Sequence, residues 1–258
     1  MFNTVRYRVI GDGICSLCSL VMLVVVLTSS TLKPFERGFD CEDISIKHPE
    51  KPPSLTPIWL IGWFLVLPTF FIAIYEMIEY FAYNHTLDKN ALYRVYNEVV
   101  VFVFGICSSF LIAEIIQLRC GRLRPYFLDV CKPNVDCDLP ENRYRYITNY
   151  VCTNAVESDV VMARKSFPSI HALISTQATS YISLYLQMKD IMKTIVLMKR
   201  FIQSLLFGVS VYVSVRRISD NANHWGDVLV GMFIGILFAF YMFYFMNSYR
   251  TNETPKEE

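Results

Sequence analysis

Six stretches of this chain are apolar for long enough to cross a lipid bilayer, and they limit its fold more than any other feature. They run approximately over 9–29, 57–81, 96–118, 170–188, 195–215 and 227–247. About 20 apolar residues in an α-helix span the ~30 Å hydrocarbon core. In that medium every backbone N–H and C=O must be satisfied within its own segment, so each block is predicted to be a helix. The expected fold is all-α: one integral membrane domain over 1–248, a six-helix bundle with short helices in its outer loops. A polar tail, 249–258, follows and is expected to be disordered.

Composition agrees, with 53% hydrophobic residues and mean hydropathy +0.35. A formal net charge of +1 and the lack of a Lys/Arg-rich arm argue against a nucleic-acid partner. There is no internal repeat, heptad pattern or low-complexity tract. The fifth block is the weakest, since Lys199 and Arg200 interrupt it; their stems are expected to snorkel to the interface. The first block does not read as a cleavable signal peptide, because its apolar core is too long and Leu27-Thr28-Ser29-Ser30 lacks a small-x-small cleavage site.

An even number of crossings puts both termini on one side. The short segments there (Arg6, Arg8, Lys89, Arg94, Lys189, Lys193, Lys199, Arg200) are basic with few carboxylates, which marks that side as cytosolic. Cys41, Cys131, Cys137 and Cys152 then fall in outer loops, where disulfides persist; four cysteines allow three pairings. Cys15-x-x-Cys18 has no second pair and reads as two small apolar residues in a helix. The sequons Asn84-His85-Thr86 and Asn252-Glu253-Thr254 lie on the cytosolic side and are expected to be unmodified.

Polar chemistry gathers in three places: CGRLRPYF (120–127) where the third block exits, RKSFPSIHA (164–172) where the fourth enters, and RRISDNANHWGD (216–227) between the fifth and sixth. Strict alternation puts all three on one membrane face, so Arg124, Ser169, His171, Arg217, His224 and Asp227 are expected to share a cleft. Arg124 and Arg217 offer planar forks that match phosphate oxygens. Ser169 can donate its hydroxyl, and the N–H groups opening the next helix point the same way. His171 could protonate a leaving oxygen. Asp227 could orient a ring at His224 or a side chain at Asn223. No Asp-x-Asp, HExxH or His/Cys cluster offers a cation cage, so no metal or other cofactor is expected. Singly, each residue has an ordinary reading: interfacial arginines snorkel, Asp227 is a helix N-terminal charge, and Trp225 is an aromatic-belt anchor. Asp12, Glu76, Glu79 and Glu114 read as interior helix contacts or a polar path.

In these residues the chain resembles the lipid phosphate phosphatases of the phosphatidic acid phosphatase type 2 superfamily, over nearly its whole length. PFERGFDCEDISI (34–46) is similar to their first outer loop, and CGRLRPYFLDVC, KSFPSIHA and YVSVRRISDNANHWGDVLVG to their three motif regions. The resemblance implies a six-helix membrane bundle and metal-independent hydrolysis of phosphatidate, lysophosphatidate, sphingosine 1-phosphate or ceramide 1-phosphate at the outer or lumenal face. It also implies a mechanism. The histidine of the third motif attacks phosphorus, oriented by the aspartate, and the second-motif histidine protonates the departing alcohol. Lysine, two arginines, serine and backbone N–H groups hold the oxygens.

The family motifs read KxxxxxxRP, PSGH and SRxxxxxHxxxD, and the match is partial. Arg124 and Pro125 fit the first, but the lysine is Gln117, and Arg119 stands about 200° away on a regular helix. Pro168, Ser169 and His171 fit the second, but its glycine is Ile170, a costly replacement if that position needs φ > 0. Arg217 and Asp227 fit the third, with Arg216 in place of its serine. The nucleophile position is Asn223, whose amide lone pair is delocalised and cannot form the covalent intermediate. His224 is one residue on, about 100° and 1.5 Å away, and family members already carry a second histidine there.

Two readings follow: a protein that binds lipid phosphates with hydrolysis weakened or lost, or an active phosphatase using His224. Subunit roles in a homo-oligomer, or in a hetero-oligomer with an active relative, are compatible with the first. The plasma membrane is the expected location, with an endomembrane as the alternative.

Overall fold

The computed structural model describes residues 2–28, 33–52, 55–85, 89–153, 156–189 and 194–251. They form a helical bundle capped at one end by a small disulfide-bonded subdomain. The long helices are α1 (Phe2–Thr28), α2 (Pro57–Ile61) running through a π-helical turn (Gly62–Val66) into α3 (Leu67–Asn84), and α4 (Lys89–Cys120). Short helices α5 (Phe127–Cys131), α6 (Pro140–Arg143) and α7 (Glu157–Ala163) follow in the cap. Three further long helices complete the bundle: α8 (Ile170–Met188), α9 (Val196–Ser219) and α10 (Trp225–Thr251).

Each of the six apolar blocks is thus helical, with ends two to seven residues beyond those expected in several cases. Among the described residues, four helices are long and apolar enough to cross a membrane unaided: Ile58–Asn84, Ala91–Cys120, Val196–Ser219 and Trp225–Tyr244. The fourth block is less apolar because α8 is the bundle's central helix, packed on α10, α9 and α4. Its Ser175, Thr176, Gln177 and Thr179 are buried; Ser175 Oγ donates to Ala172 O and Thr179 Oγ1 to Ser175 O within the helix, Gln177 Oε1 accepts from Ser109 Oγ of α4, and Thr176 Oγ1 has no partner among the described residues. The π-helical turn precedes Pro68, which has no N–H to give the ladder, and Leu67 N–H bonds back to Gly62 O instead.

Close approach of α8 and α10 depends on a small-residue stripe. A Cβ on Gly231 would stand 2.5 Å from Ser169 O, and one on Gly235 would collide with Leu173 O. Two glycines four apart let the helix backbones touch, which supports packing where no water is available to drive it.

At the opposite end from the cap, Lys189 is buried against the carboxylates of Glu76 and, at 3.2 Å, Glu79. Tyr185 Oη donates to Glu76 Oε1 at 2.7 Å, and Lys189 Nζ lies 4.8 Å from the Tyr185 ring centroid. These are the interior contacts the sequence suggests for Glu76 and Glu79. Arg200 is exposed, as its position implies, but Lys199 is 4% exposed rather than snorkelled. Asn84 donates to Tyr80 O at the end of α3. The helix α10 extends into the expected tail as far as Thr251, and the Asn252 sequon lies outside the described residues.

The cap has its own core: Phe39, Ile46, Leu123, Phe127, Val130 and Ile147 among others. Cys41 is bonded to Cys137 and Cys131 to Cys152, one of the three possible pairings. A two-stranded antiparallel ribbon, β1 (Phe39–Asp40) with β2 (Tyr146–Ile147), joins the first outer loop to the second. Arg164 lies between the rings of Phe127 and Tyr150, 5.3 and 5.4 Å from their centroids. Gly121, at φ +55°, ends α4 in a left-handed turn against Phe35 O, where any side chain would collide.

Candidate functional site

Backbone bonds fix three chain segments to one another at the cap end of the bundle. Arg124 N–H donates to Ala163 O (2.8 Å) and Ser166 N–H to Arg122 O (3.1 Å), joining 121–126 to 163–169. Ser169 N–H donates to Asp227 O (3.0 Å), joining the second segment to the start of α10. The Phe167–Pro168 peptide is cis. Gln117 Nε2 donates to Pro168 O at 2.8 Å, so this buried amide supports the turn. Arg119 is exposed on the regular end of α4 and does not take over for the missing lysine.

Asn223 sits at the centre and is 3% exposed. Its Oδ1 accepts from Arg217 Nε (3.1 Å) and Ser169 Oγ (3.2 Å), and its Nδ2 donates to Ser166 O (2.6 Å). Both ends of the amide are engaged. Ser169, expected to face a phosphate, spends its hydroxyl here.

Asp227 is fully buried. Its Oδ1 accepts from Arg122 Nη1 at 2.6 Å. Its Oδ2 accepts from Ser166 Oγ (2.6 Å) and stands 3.2 Å from His224 Nδ1 and 3.3 Å from His224 N. The orienting carboxylate therefore holds His224. With Nδ1 on the carboxylate, the ring's hydrogen is placed there and Nε2 carries the lone pair.

His171 opens α8 with its Nε2 3.2 Å from Leu55 O, a position that donates to a carbonyl. The expected proton donor thus has that nitrogen turned to the first outer loop. Ile170, placed where the family has glycine, takes an ordinary negative φ as the first residue of α8 and packs on the main core. Position 170 therefore needs no positive φ here, since the segment is already helical at this point.

Among the cations near the cleft, Lys165 pairs with Glu114 and Arg122 with Asp227. Arg124 donates through Nε and Nη2 to Lys165 O (3.2 Å each) and through Nη1 to Tyr126 Oη (3.0 Å). Apart from Nε, Arg217 makes no hydrogen bond to another described residue. Neither guanidinium is in an ion pair among the described residues, although they are only 9% and 4% exposed. Their charges act on each other and on His171. Asp220 offsets Arg217 only from beyond ion-pair distance, and two buried like charges without a paired carboxylate are unfavourable until an anion joins them. Among the described residues, no group of three or more His, Cys, Asp or Glu side chains could hold a metal ion.

Arg124, Ser169, His171, Arg217, Asn223, His224 and Asp227 are thus brought together as their segments' shared face implies. Arg122, Ser166, Lys165 and Glu114 were not singled out as site residues. Arg122 and Ser166 lie inside the same quoted segments, and the only signal for them is that placement.

A helical membrane protein with a cluster of buried cationic side chains at one end of its bundle is the class that this fold and site define. The model of the PAP2 superfamily matches residues 98–250. The chain is 32% identical over 268 residues to phospholipid phosphatase 1 of Rattus norvegicus, covering all of this chain and 92% of that protein. It is 34% identical to phospholipid phosphatase homolog 1.2 homolog of Caenorhabditis elegans, over 91% of this chain and 72% of that one. Phospholipid phosphatase 2 of Mus musculus is 30% identical over 90% of this chain and 83% of its own length. No solved structure matches. The chain belongs to the PAP2 superfamily and, within it, to the lipid phosphate phosphatases.

Proposed function

We propose that this protein binds the phosphate of a phosphatidate-, lysophosphatidate- or sphingosine 1-phosphate-like lipid in the cleft between Arg124 and Arg217, and that the phospho-histidine route is closed at Asn223. One observation carries the reading: two buried guanidinium groups act on each other's charge and neither is within ion-pair distance of a carboxylate among the described residues, Asp220 acting on Arg217 only from farther away. A phosphomonoester supplies the missing negative charge, and its oxygens suit the unused guanidinium N–H groups. The N–H groups opening α8, which Ser169's side chain does not cap, add donors and positive dipole. At position 223 the amide has no free lone pair on nitrogen, and its hydrogen bonds leave nothing to attack phosphorus. Six crossings with both termini cytosolic put the cleft on the outer or lumenal side, in keeping with two disulfides in the adjoining cap.

Phosphate release from short-chain phosphatidate by the solubilised protein tests the reading. Loss of a covalent nucleophile costs about 10⁶ in kcat in the protease precedent. Wild type is therefore expected to release phosphate orders of magnitude more slowly than Asn223→His, while still binding the lipid.

A second reading has an observation of its own. Asp227 holds His224 Nδ1, which leaves Nε2 as a nucleophile oriented by a buried carboxylate. If wild type turns over well and His224→Ala abolishes it, this second reading replaces the first.

A further inference from the structure

A groove with an almost wholly apolar surface, lined otherwise only by Thr179, lies beneath the cleft on the same faces of the two helices that carry His171 and Arg217. It holds about 260 Å³ and is walled by Trp63, Phe64 and Leu67 on one side and by Ala178, Ile182 and Leu206 on the other. On α8, Ala178 and Ile182 follow His171 by seven and eleven residues, each within about 20° of its direction. On α9, Leu206 precedes Arg217 by eleven residues, again within about 20°. Both Ile182 and Leu206 are therefore about 16 Å below the cleft, close to half the ~30 Å hydrocarbon core. The groove begins about 10–12 Å below the cleft, at Ala178 and Val209, and continues toward the bilayer midplane. Its rim is open to lipid: Trp63 and Leu67 are 52% and 51% exposed and Val209 43%.

A second groove flanks α8 on its other side, between α9 and α10, and is lined by Thr176, Ser180, Ser183 and Ser210. Ser180 is nine residues from His171, which is half a turn away, so this groove faces away from the cleft.

We infer that the groove between the α2–α3 helix, α8 and α9 holds one hydrocarbon chain of the lipid whose phosphate sits between Arg124 and Arg217; this rests on the phosphate reading above. The volume is below the roughly 300–1,000 Å³ of drug-sized sites, which suits one chain, with any second chain left in the bilayer through the open rim. An apolar lining gives a chain no advantage over lipid by itself. The groove therefore selects by tethering: it places a chain directly under a bound phosphate, and a chain without that phosphate has no reason to stay.

Trp63 makes the inference testable. In nanodiscs of saturated phosphatidylcholine, protein carrying Trp59→Phe and Trp225→Phe leaves Trp63 as its reporter. Lysophosphatidate with a brominated chain is compared with the matching brominated monoacylglycerol. Trp63 emission is expected to be quenched saturably by the phosphate-bearing chain at a mole fraction about tenfold below that needed by the alcohol, a preference of about 1.4 kcal/mol. Leu206→Phe and Val209→Phe, which fill the groove, are expected to remove this preference while inorganic phosphate still binds. Ile236→Phe, in the opposite groove, is expected to leave it intact. Equal quenching by the two chains, or a preference lost only in Ile236→Phe, overturns the groove assignment. Should neither lysophosphatidate nor inorganic phosphate bind wild type, the phosphate reading itself fails and the groove assignment falls with it.

Discussion

Asn223→Ala removes the side chain that joins the end of α9 to the segment before α8, and its cost can be worked from the bonds lost. Arg217 Nε–H loses a buried acceptor at 3.1 Å, Ser169 Oγ–H one at 3.2 Å, and Ser166 O a donor at 2.6 Å. A bond to a charged group is worth about 1.5–3 kcal/mol net and a neutral one about 1 kcal/mol. A simple sum is about 3.5–5 kcal/mol, but Ser169 Oγ can rotate to another acceptor, so about 3 kcal/mol is expected. At about 2–4 °C per kcal/mol for a chain of this size, the melting temperature should fall by about 6–12 °C. Thermal unfolding of the detergent-solubilised protein, followed by size-exclusion fluorescence, measures this. Asn223→Asp is the informative companion: it keeps an acceptor for Arg217 but puts a carboxylate in the cleft. It should unfold less readily than Asn223→Ala yet lose affinity for inorganic phosphate, because Arg217 then has its counter-ion within the protein. If Asn223→Ala melts within about 2 °C of wild type, a shift below about 1 kcal/mol, the amide is not what holds the segments together.

Gly231→Ala sets a methyl group 2.5 Å from Ser169 O, so α10 must move away from α8 exactly where the cleft is built; a cost of about 1–3 kcal/mol and weaker phosphate binding should appear in the same melting and binding assays. Gln117→Ala leaves Pro168 O without its donor and should cost about 1–3 kcal/mol, read as a lower melting temperature. Non-reducing peptide mapping should recover Cys41–Cys137 and Cys131–Cys152, and reduction should destabilise the cap by about 2–4 kcal/mol per bond.

The bundle was legible from apolar block length, and the meeting of the three polar segments from crossing parity alone. Partner choice within the cleft was not. Arg122 and Arg124 are two residues apart in a non-helical stretch, and nothing local indicates that the first takes Asp227 while the second stays without a carboxylate. Sequence spacing likewise left Asp227 free to orient either Asn223 or His224, and the turn after α9 decides for His224. The motif glycine leaves open a need for positive φ at Ile170, and the structure decides against it because the helix begins at that residue. The hydroxyls of Ser175, Thr179 and Ser183 on the central helix, α8, bond their own backbone, which no hydropathy scale registers.

The buried lysine at the far end of α8 has a bearing on the cleft. This helix is 19 residues long, about 28 Å, with Ser169 and His171 at one end and Lys189 moored to Glu76 and Glu79 at the other. Packing on α10, α9 and α4 already limits how far α8 can turn or slide. Ion pairs buried away from water add a polar anchor to that packing, so the azimuth at which α8 presents His171 is fixed in part from its far end.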